Sequence, residues 1–474
     1  MDVCTIATSN YVAHARVLAE SFLTHNRRST IHVLVFDEDS RAALSGEARL
    51  RTLGPQDIGI DSDELHRRAT MYNTQGLAAS MKPDVLLALL RESRGPLLFI
   101  DADGRIYSDL DPLAPLCERH SLLLCPHSLD PYPLSRGESP EQVILRAGAL
   151  NAGFVGAAEG AEEALRWWAR RTRRHCVFEP QASIMFDQTW LTLAPCLFEH
   201  EILRDRGCNV AGWNLHTRDI EWNGQVPEID GERLRHFHFA GSFDPLQPDH
   251  LTPIAALAAW WADLRERPGA AQLVREYAQR LLALGYERAR STAPTYTVTP
   301  AGVPIAAWMR ECYRTALLQF EDGLGEEPPN PFSHGDERFI EWLEPLASSA
   351  ARAQAPPSPE GNGSNQVSEA LASALLDSRR ALARIAELEA DRDDAAAWAE
   401  RVSVELRKAC AEVAKATEEL AKANAERACC ATVIEQMRNS VSWRVTKPLR
   451  SVKAAVRRTR SGVLSPSPHD PPAR

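Results

Sequence analysis

Three short apolar runs, Val3–Ala7, Ile31–Phe36 and Pro96–Ile100, limit what this chain can fold into more than any other feature. After the first, the polar segment Thr8-Ser9-Asn10, able to cap a helix, leads into Ala15, Leu18, Ala19 and Phe22 at helical spacing. A strand thus feeds a helix that returns to a second strand. Strands interleaved with helices specify an α/β fold with a mostly parallel sheet, and such sheets bind ligands beyond the carboxyl ends of their strands. Thr8-Ser9-Asn10 and Asp101-Ala102-Asp103 both lie at such ends.

The third run stops abruptly at the two carboxylates Asp101 and Asp103. In an extended backbone their side chains fall on one side while Ala102 turns away. Mg²⁺ and Mn²⁺ sites use one or two carboxylates and leave the other positions to water and substrate, so the pair suits a divalent cation carrying phosphate oxygens. The same spacing occurs at Asp37/Asp39, Asp61/Asp63 and Asp109/Asp111. Context separates them: Asp37/Asp39 read as a solvated turn, Asp61/Asp63 have no strand before them, and Asp109/Asp111 belong to the next segment.

Other polar groups interrupt apolar patterns. Lys82-Pro83 opens the segment Val85–Leu90, where proline suits a first helical turn. A cation at a helix start gains nothing from the helix dipole, which points Lys82 to another anion, with a solvated lysine as the alternative. Cys125–Pro140 reads as a loop, and Asn151-Ala152-Gly153 as a small-residue turn into a strand. Trp167 and Trp168 read as packing residues. Asp187-Gln188 falls in an apolar helical pattern, where buried polar groups need partners. Gly207–Arg218, which contains Trp213-Asn214, has too little periodicity for a helix and reads as a site loop. Leu234–Ala240 alternates as a strand with His236 and His238 on one face, and either could supply a third metal ligand.

The chain has 474 residues, is 44% hydrophobic and carries a formal charge of −10, which suits a soluble chain of two or three domains. Its ten cysteines include no C-x-x-C pair and read as reduced thiols of a cytoplasmic protein. Neither a signal sequence nor an apolar run long enough to span a bilayer is legible. Charge is uneven: residues 438–474 hold nine Lys/Arg and one acid, leaving −18 on the preceding 437 residues. So acidic a body argues against nucleic acid as a partner, since phosphate backbones need a positive surface.

Together, Thr8-Ser9-Asn10, Phe99-Ile-Asp101-Ala-Asp103, Asn151-Ala-Gly153-Phe, Asp187-Gln188, Trp213-Asn214 and His238-Phe-Ala-Gly241 resemble, in order, the motifs of GT-A-fold glycosyltransferases similar to family eight. These are the glycogenin-like and lipopolysaccharide-galactosyltransferase-like enzymes, and the resemblance covers about residues 1–345. It implies a Rossmann-like nucleotide-diphospho-sugar transferase domain that moves a sugar from a nucleotide-sugar donor, UDP-linked by analogy, to a glycan or lipid-linked acceptor with retention. By position, Thr8, Ser9, Asn10, Lys82, Trp213 and Asn214 would contact the donor. Asp101, Asp103 and His238 would hold Mn²⁺ or Mg²⁺, and Asn151, Asp187 and Gln188 would line the catalytic side. The family's K-P-W after H-x-x-G is absent, Ser242-Phe-Asp-Pro standing there instead.

Composition suggests five segments: a transferase domain at 1–249, a helical cap at 250–346 with a stripe including Trp260, Trp261, Leu273 and Tyr277, a flexible linker at 347–369, a coiled-coil helix at 370–437 and a basic tail at 438–474. The coiled coil places Ile385, Leu406, Val413, Leu420, Ile434 and Val441 at heptad multiples, but Glu389, Ser403, Thr417 and Asn424 weaken its companion series. It is read as a homodimer contact or a spacer. The tail, with Trp443, Val445, Leu449 and Val452 among arginines and lysines, resembles the S-W-R-x-T-x-P-L-R ending of bacterial envelope-polysaccharide transferases and suits the anionic inner face of a membrane. Two other classes remain open: a metal-dependent phosphoesterase using the same carboxylates, and a non-catalytic scaffold with a degenerate transferase domain.

Overall fold

The protein is described here from a computed structural model covering residues 1–353 except 94, 133–139, 180–183, 241–243, 247 and 249–263. Trp260 and Trp261, the boundary at 249/250, most of the linker, the coiled-coil segment 370–437 and the tail 438–474 lie outside the described residues. Among those described, no helix is long and apolar enough to cross a membrane.

The expected α/β architecture is present. Strands β1 (Asp2–Ala7), β2 (Ile31–Val35), β3 (Leu50–Leu53), β4 (Leu97–Ile100), β6 (Leu122–Pro126), β7 (Leu150–Ala157) and the short strand Glu201–Ile202 form one seven-stranded sheet, while β5 (Gly104–Ile106) pairs elsewhere. Its order is Glu201–Ile202, β6, β7, β4, β1, β2, β3. All pairs are parallel except those made by β7, which runs against both β4 and β6. Because β7 is reversed, its first residues meet the carboxyl ends of β1 and β4 at one edge. Alternation along the strands divides the core: Cys4, Ile6, Leu97 and Phe99 face one apolar cluster, and Val3, Ala7, Leu98 and Ile100 the other.

Three local expectations are corrected. Cys125 and Pro126 end strand β6, and Pro140–Ala147 is a helix, so the loop expected over Cys125–Pro140 is cut back at both ends. Asn151-Ala152-Gly153 is not a turn but part of β7, carried between Leu150, paired with Pro126 of β6, and Phe154, paired with Ile100 of β4, with the Asp101 amide donating to the Gly153 carbonyl at 3.0 Å. The helix Asp336–Ala353 continues into the first residues of the expected linker, where alanines favour helix.

The described helices after residue 263 share their cores with the sheet domain. Tyr313, Leu317, Phe339 and Leu343 join the cluster beneath the sheet. On the other side the Tyr277 ring stacks flat on Phe239, with centroids 3.6 Å apart. Sheet and helices from Met1 to Glu344 thus make one compact unit.

A buried ion network ties four helices of this unit together. Glu64 accepts from Arg68 Nε at 2.8 Å and from Arg174 Nη1 and Nη2 at 2.7 and 2.8 Å. Arg68 also meets Asp84 at 2.7 Å, and Arg174 meets Glu321 at 2.7 Å. Burial disfavours the Glu64 charge, but Arg174, Arg68 and Arg173 outweigh it and hold the carboxyl at about 2, below its ordinary 4.5. A depressed carboxyl stabilises the fold above its unfolded pKa and loses that contribution as pH falls through the folded one. Glu64→Gln is therefore expected to cost on the order of 3 kcal/mol near neutrality. The gap in melting temperature between the two proteins should close as pH falls from about 5 to about 2. A gap that persists at pH 2 would show that the charge is not its source.

Candidate functional site

Asp101 and Asp103 leave β4 in a tight turn rather than an extended backbone, the Gly104 amide donating to the Asp101 carbonyl at 3.1 Å. Ala102 is buried, and both carboxylates emerge at the sheet edge. The turn leads into β5, which pairs antiparallel with the strand His236–His238, setting His238 opposite Gly104. That register selects between the two histidines. His238 Nε2 lies 3.1 Å from Asp103 Oδ1 and 3.9 Å from Asp101 Oδ2. His236 is fully buried against Phe154, so close to Gly104 that a Cβ there would strike its ring.

One ligand atom from each of Asp101, Asp103 and His238 falls within 4.8 Å of the other two. Two carboxylate oxygens and one imidazole nitrogen form a donor set suited to Mn²⁺ or Mg²⁺, the nitrogen favouring Mn²⁺. The backbone makes room for it at Gly153, where a Cβ would lie 2.5 Å from Asp101 Oδ2 and 2.7 Å from His238 Cε1. Burial opposes charge on both Asp103 and His238, yet each stabilises the other's ion: the carboxyl is held below its ordinary pKa and the imidazole above.

Lys82 opens the helix Lys82–Glu92 beside this triad, and its anionic partners are internal. Its Nζ lies 2.9 Å from Asp101 Oδ1 and 3.3 Å from Asp187 Oδ2, and donates to the Ala152 carbonyl at 3.3 Å. Burial alone would discharge it, but Asp101 and Asp187 keep it protonated. Asp187 is itself buried, and its carboxyl is lifted by burial, against the pull of Lys82 and with the push of Asp101. Gln188 follows it, half-exposed, at the start of the short helix Gln188–Leu191.

Asn151 and Asn214 are turned into the protein. Asn151 Oδ1 accepts from the Gly153 amide at 2.9 Å, and its Nδ2 lies 3.2 Å from His127 Nε2. Burial pushes His127 down to about 4, so the neutral ring can accept that proton. Asn214 is fully buried; its Oδ1 accepts from Ala211 N, and its Nδ2 donates to the carbonyls of His127 and Asn209. Trp213 stands edge-on to His238 at 5.3 Å between ring centroids.

Thr8 makes no side-chain cap, contrary to expectation: Ser9–Tyr11 is a single 3-10 turn in which Thr8 Oγ1 donates to Asn10 Oδ1 at 2.7 Å. Ser9 is buried and its Oγ reaches the Ala293 carbonyl at 3.4 Å. The same turn presents Tyr11, missed by the sequence reading, stacked on His14 at 4.6 Å. The Asp101 and Asp103 charges reach the Tyr11 hydroxyl and add to the burial that raises its pKa. Hydrophobic periodicity absorbs Tyr11 into the following helix, so only its place after a strand end could have flagged it.

No protein-family model matches the chain, and no curated protein matches it. Solved structures similar to it include the galactosyltransferase LgtC in complex with donor and acceptor sugar analogues, at 18% identity over 63% of this chain and 99% of that one, with a TM-score of 0.35. The glycosyltransferase GlyE of Streptococcus pneumoniae is similar at 15% identity over 62% of this chain and 65% of its own, TM-score 0.35. The bifunctional glycosyltransferase WbbM is similar at 12% identity over 52% and 46%, TM-score 0.34. At this level of similarity, a functional reading rests on the residues of this chain.

Proposed function

We propose that the chain is a GT-A-type glycosyltransferase that takes a sugar from a nucleotide-diphospho-sugar, UDP-linked by analogy, to a glycan or lipid-linked acceptor. The observation that carries this reading is the convergence of Asp101, Asp103 and His238 beside the Lys82–Asp187 pair at the carboxyl edge of the sheet. Splitting a glycosyl phosphate bond builds negative charge on the departing diphosphate and positive charge on the sugar, so stabilising those charges is the main catalytic task. A divalent cation held by the triad would supply Lewis-acid stabilisation of the diphosphate.

The chain's own residues divide the remaining work. Lys82, kept charged by two carboxylates, places a fixed positive charge beside the donor phosphates. Asp187, the carboxylate of this cluster outside the triad, faces the developing charge on the sugar and is paired in advance with Lys82. Gln188 contacts sugar or acceptor from its half-exposed position. Tyr11 offers an aromatic face to the nucleobase next to Thr8–Asn10. Asn151, Trp213 and Asn214 act behind these groups, fixing Gly153 and the wall around His238. Transfer with retention fits a departing phosphate that takes the acceptor proton on the same face. Segment 370–437 is read as a helical association or spacer element, and tail 438–474 as an anchor to an anionic membrane surface.

The test is turnover of a panel of nucleotide sugars by metal-stripped protein. Nucleoside diphosphate is expected from one donor, only after Mn²⁺ or Mg²⁺ is added, and faster with acceptor present. Release unaffected by excess chelator, or release of inorganic phosphate from simple esters instead, would overturn the reading.

A further inference from the structure

We infer that Asn209 is a positioning residue for metal binding: it fixes the tautomer and ring orientation of His238. The inference rests on the metal reading of the Asp101–Asp103–His238 cluster. A histidine ligates through a ring nitrogen that carries no proton, and the hydrogen bond made by the other nitrogen decides which one that is. In His238 the nitrogen facing the carboxylates is Nε2, and Nδ1 lies 3.2 Å from Asn209 Oδ1, with both side chains buried. An amide oxygen only accepts. Nδ1 facing that oxygen is the donor whether or not Nε2 is protonated, so Nε2 is the nitrogen that gives up its proton to a cation.

The backbone is built to hold that oxygen in place. Asn209 sits at φ +49°, in the left-handed region that asparagine and glycine tolerate better than other residues. Its carbonyl accepts from Asn214 Nδ2 at 3.0 Å. The next residue is stitched to the histidine strand from both sides: Val210 N donates to the His236 carbonyl at 3.1 Å, and His238 N donates to the Val210 carbonyl at 2.7 Å. Trp213, edge-on to the imidazole, limits its rotation. An unusual backbone conformation, a buried side chain and two anchoring strand bonds all serve to place one oxygen against Nδ1.

Both test substitutions accept the left-handed backbone, so fold and function separate. Asn209→Gly removes the acceptor; Asn209→Asp keeps an oxygen in its place. Mn²⁺ is titrated into metal-stripped full-length protein and followed by electron paramagnetic resonance, with His238→Ala as the reference for loss of the ligand. Asn209→Gly is expected to bind about 10- to 100-fold more weakly than the unaltered protein, the usual effect of losing such a partner. Asn209→Asp should stay within a few-fold of it, and metal-free melting temperatures recorded beside the titrations report any cost to the fold separately. Equal affinity for Asn209→Gly and the unaltered protein would overturn the inference, as would equal losses in both Asn209 variants. If the unaltered protein itself binds no Mn²⁺, the metal reading falls and takes this inference with it; binding there with no change at Asn209→Gly removes the inference alone.

Discussion

Replacing Gly153 by alanine is expected to abolish tight metal binding while leaving most of the fold in place. The added methyl would stand 2.5 Å from Asp101 Oδ2, 2.7 Å from His238 Cε1 and 2.8 Å from Asn151 Oδ1. None of these can yield without cost: Asp101 is held by Lys82, His238 by Asp103 and Asn209, and Asn151 by the Gly153 amide itself. The ligands must therefore move apart by an ångström or so, and misplacement on that scale can cost ~10²-fold in rate. Overpacking should also lower stability by about 1–3 kcal/mol. Calorimetric titration with Mn²⁺, beside a thermal melt, separates the two effects. Unchanged affinity in Gly153→Ala would mean that Asp101 and His238 do not bind one ion together.

The second large effect is expected at the carboxylates. Asp103→Asn keeps the shape of the side chain but removes the charge that pairs with His238 and, on the proposed reading, would hold the cation, and donor turnover should then fall by ~10²- to 10³-fold at saturating metal. Asp101→Asn should fall comparably, with an added consequence for Lys82, which keeps only Asp187 as an ionic partner. Nucleoside diphosphate release under single-donor conditions reads both. Full turnover in either variant would remove that carboxylate from the triad.

The sequence reading succeeded where the signal is local. An apolar run that ends at Asp101 and Asp103, and a Lys-Pro pair at a helix start, are both legible within a few residues, and the alternation of strands and helices set the parallel sheet. It failed where the deciding partner is distant. Asn151–Gly153 carry small side chains that resemble a turn, and only the pairing of the residues on either side, with β6 at Leu150 and β4 at Phe154, continues the strand through them. His236 and His238 share a face of their strand, so periodicity could not choose between them; the pairing with Gly104 does. The anion expected near Lys82 is a pair of internal carboxylates, one of them in a residue more than a hundred positions later. Asn209 was legible only as one polar residue of the expected site loop Gly207–Arg218, since a left-handed loop residue aimed at a histidine has no period to single it out.

The pairing of β5 with the strand His236–His238 also sets a timetable. The two carboxylates precede the imidazole by about 135 residues, a long loop whose closure must await the later strand. On a ribosome adding roughly 5–20 residues per second, Asp101 and Asp103 would wait on the order of ten seconds for their third partner. During that interval the nascent chain presents an acidic pair with no nitrogen donor, so the three-residue donor set is complete only after the strand His236–His238 has paired with β5. On the proposed metal reading, tight retention of an ion would mark a chain synthesised and folded past residue 238.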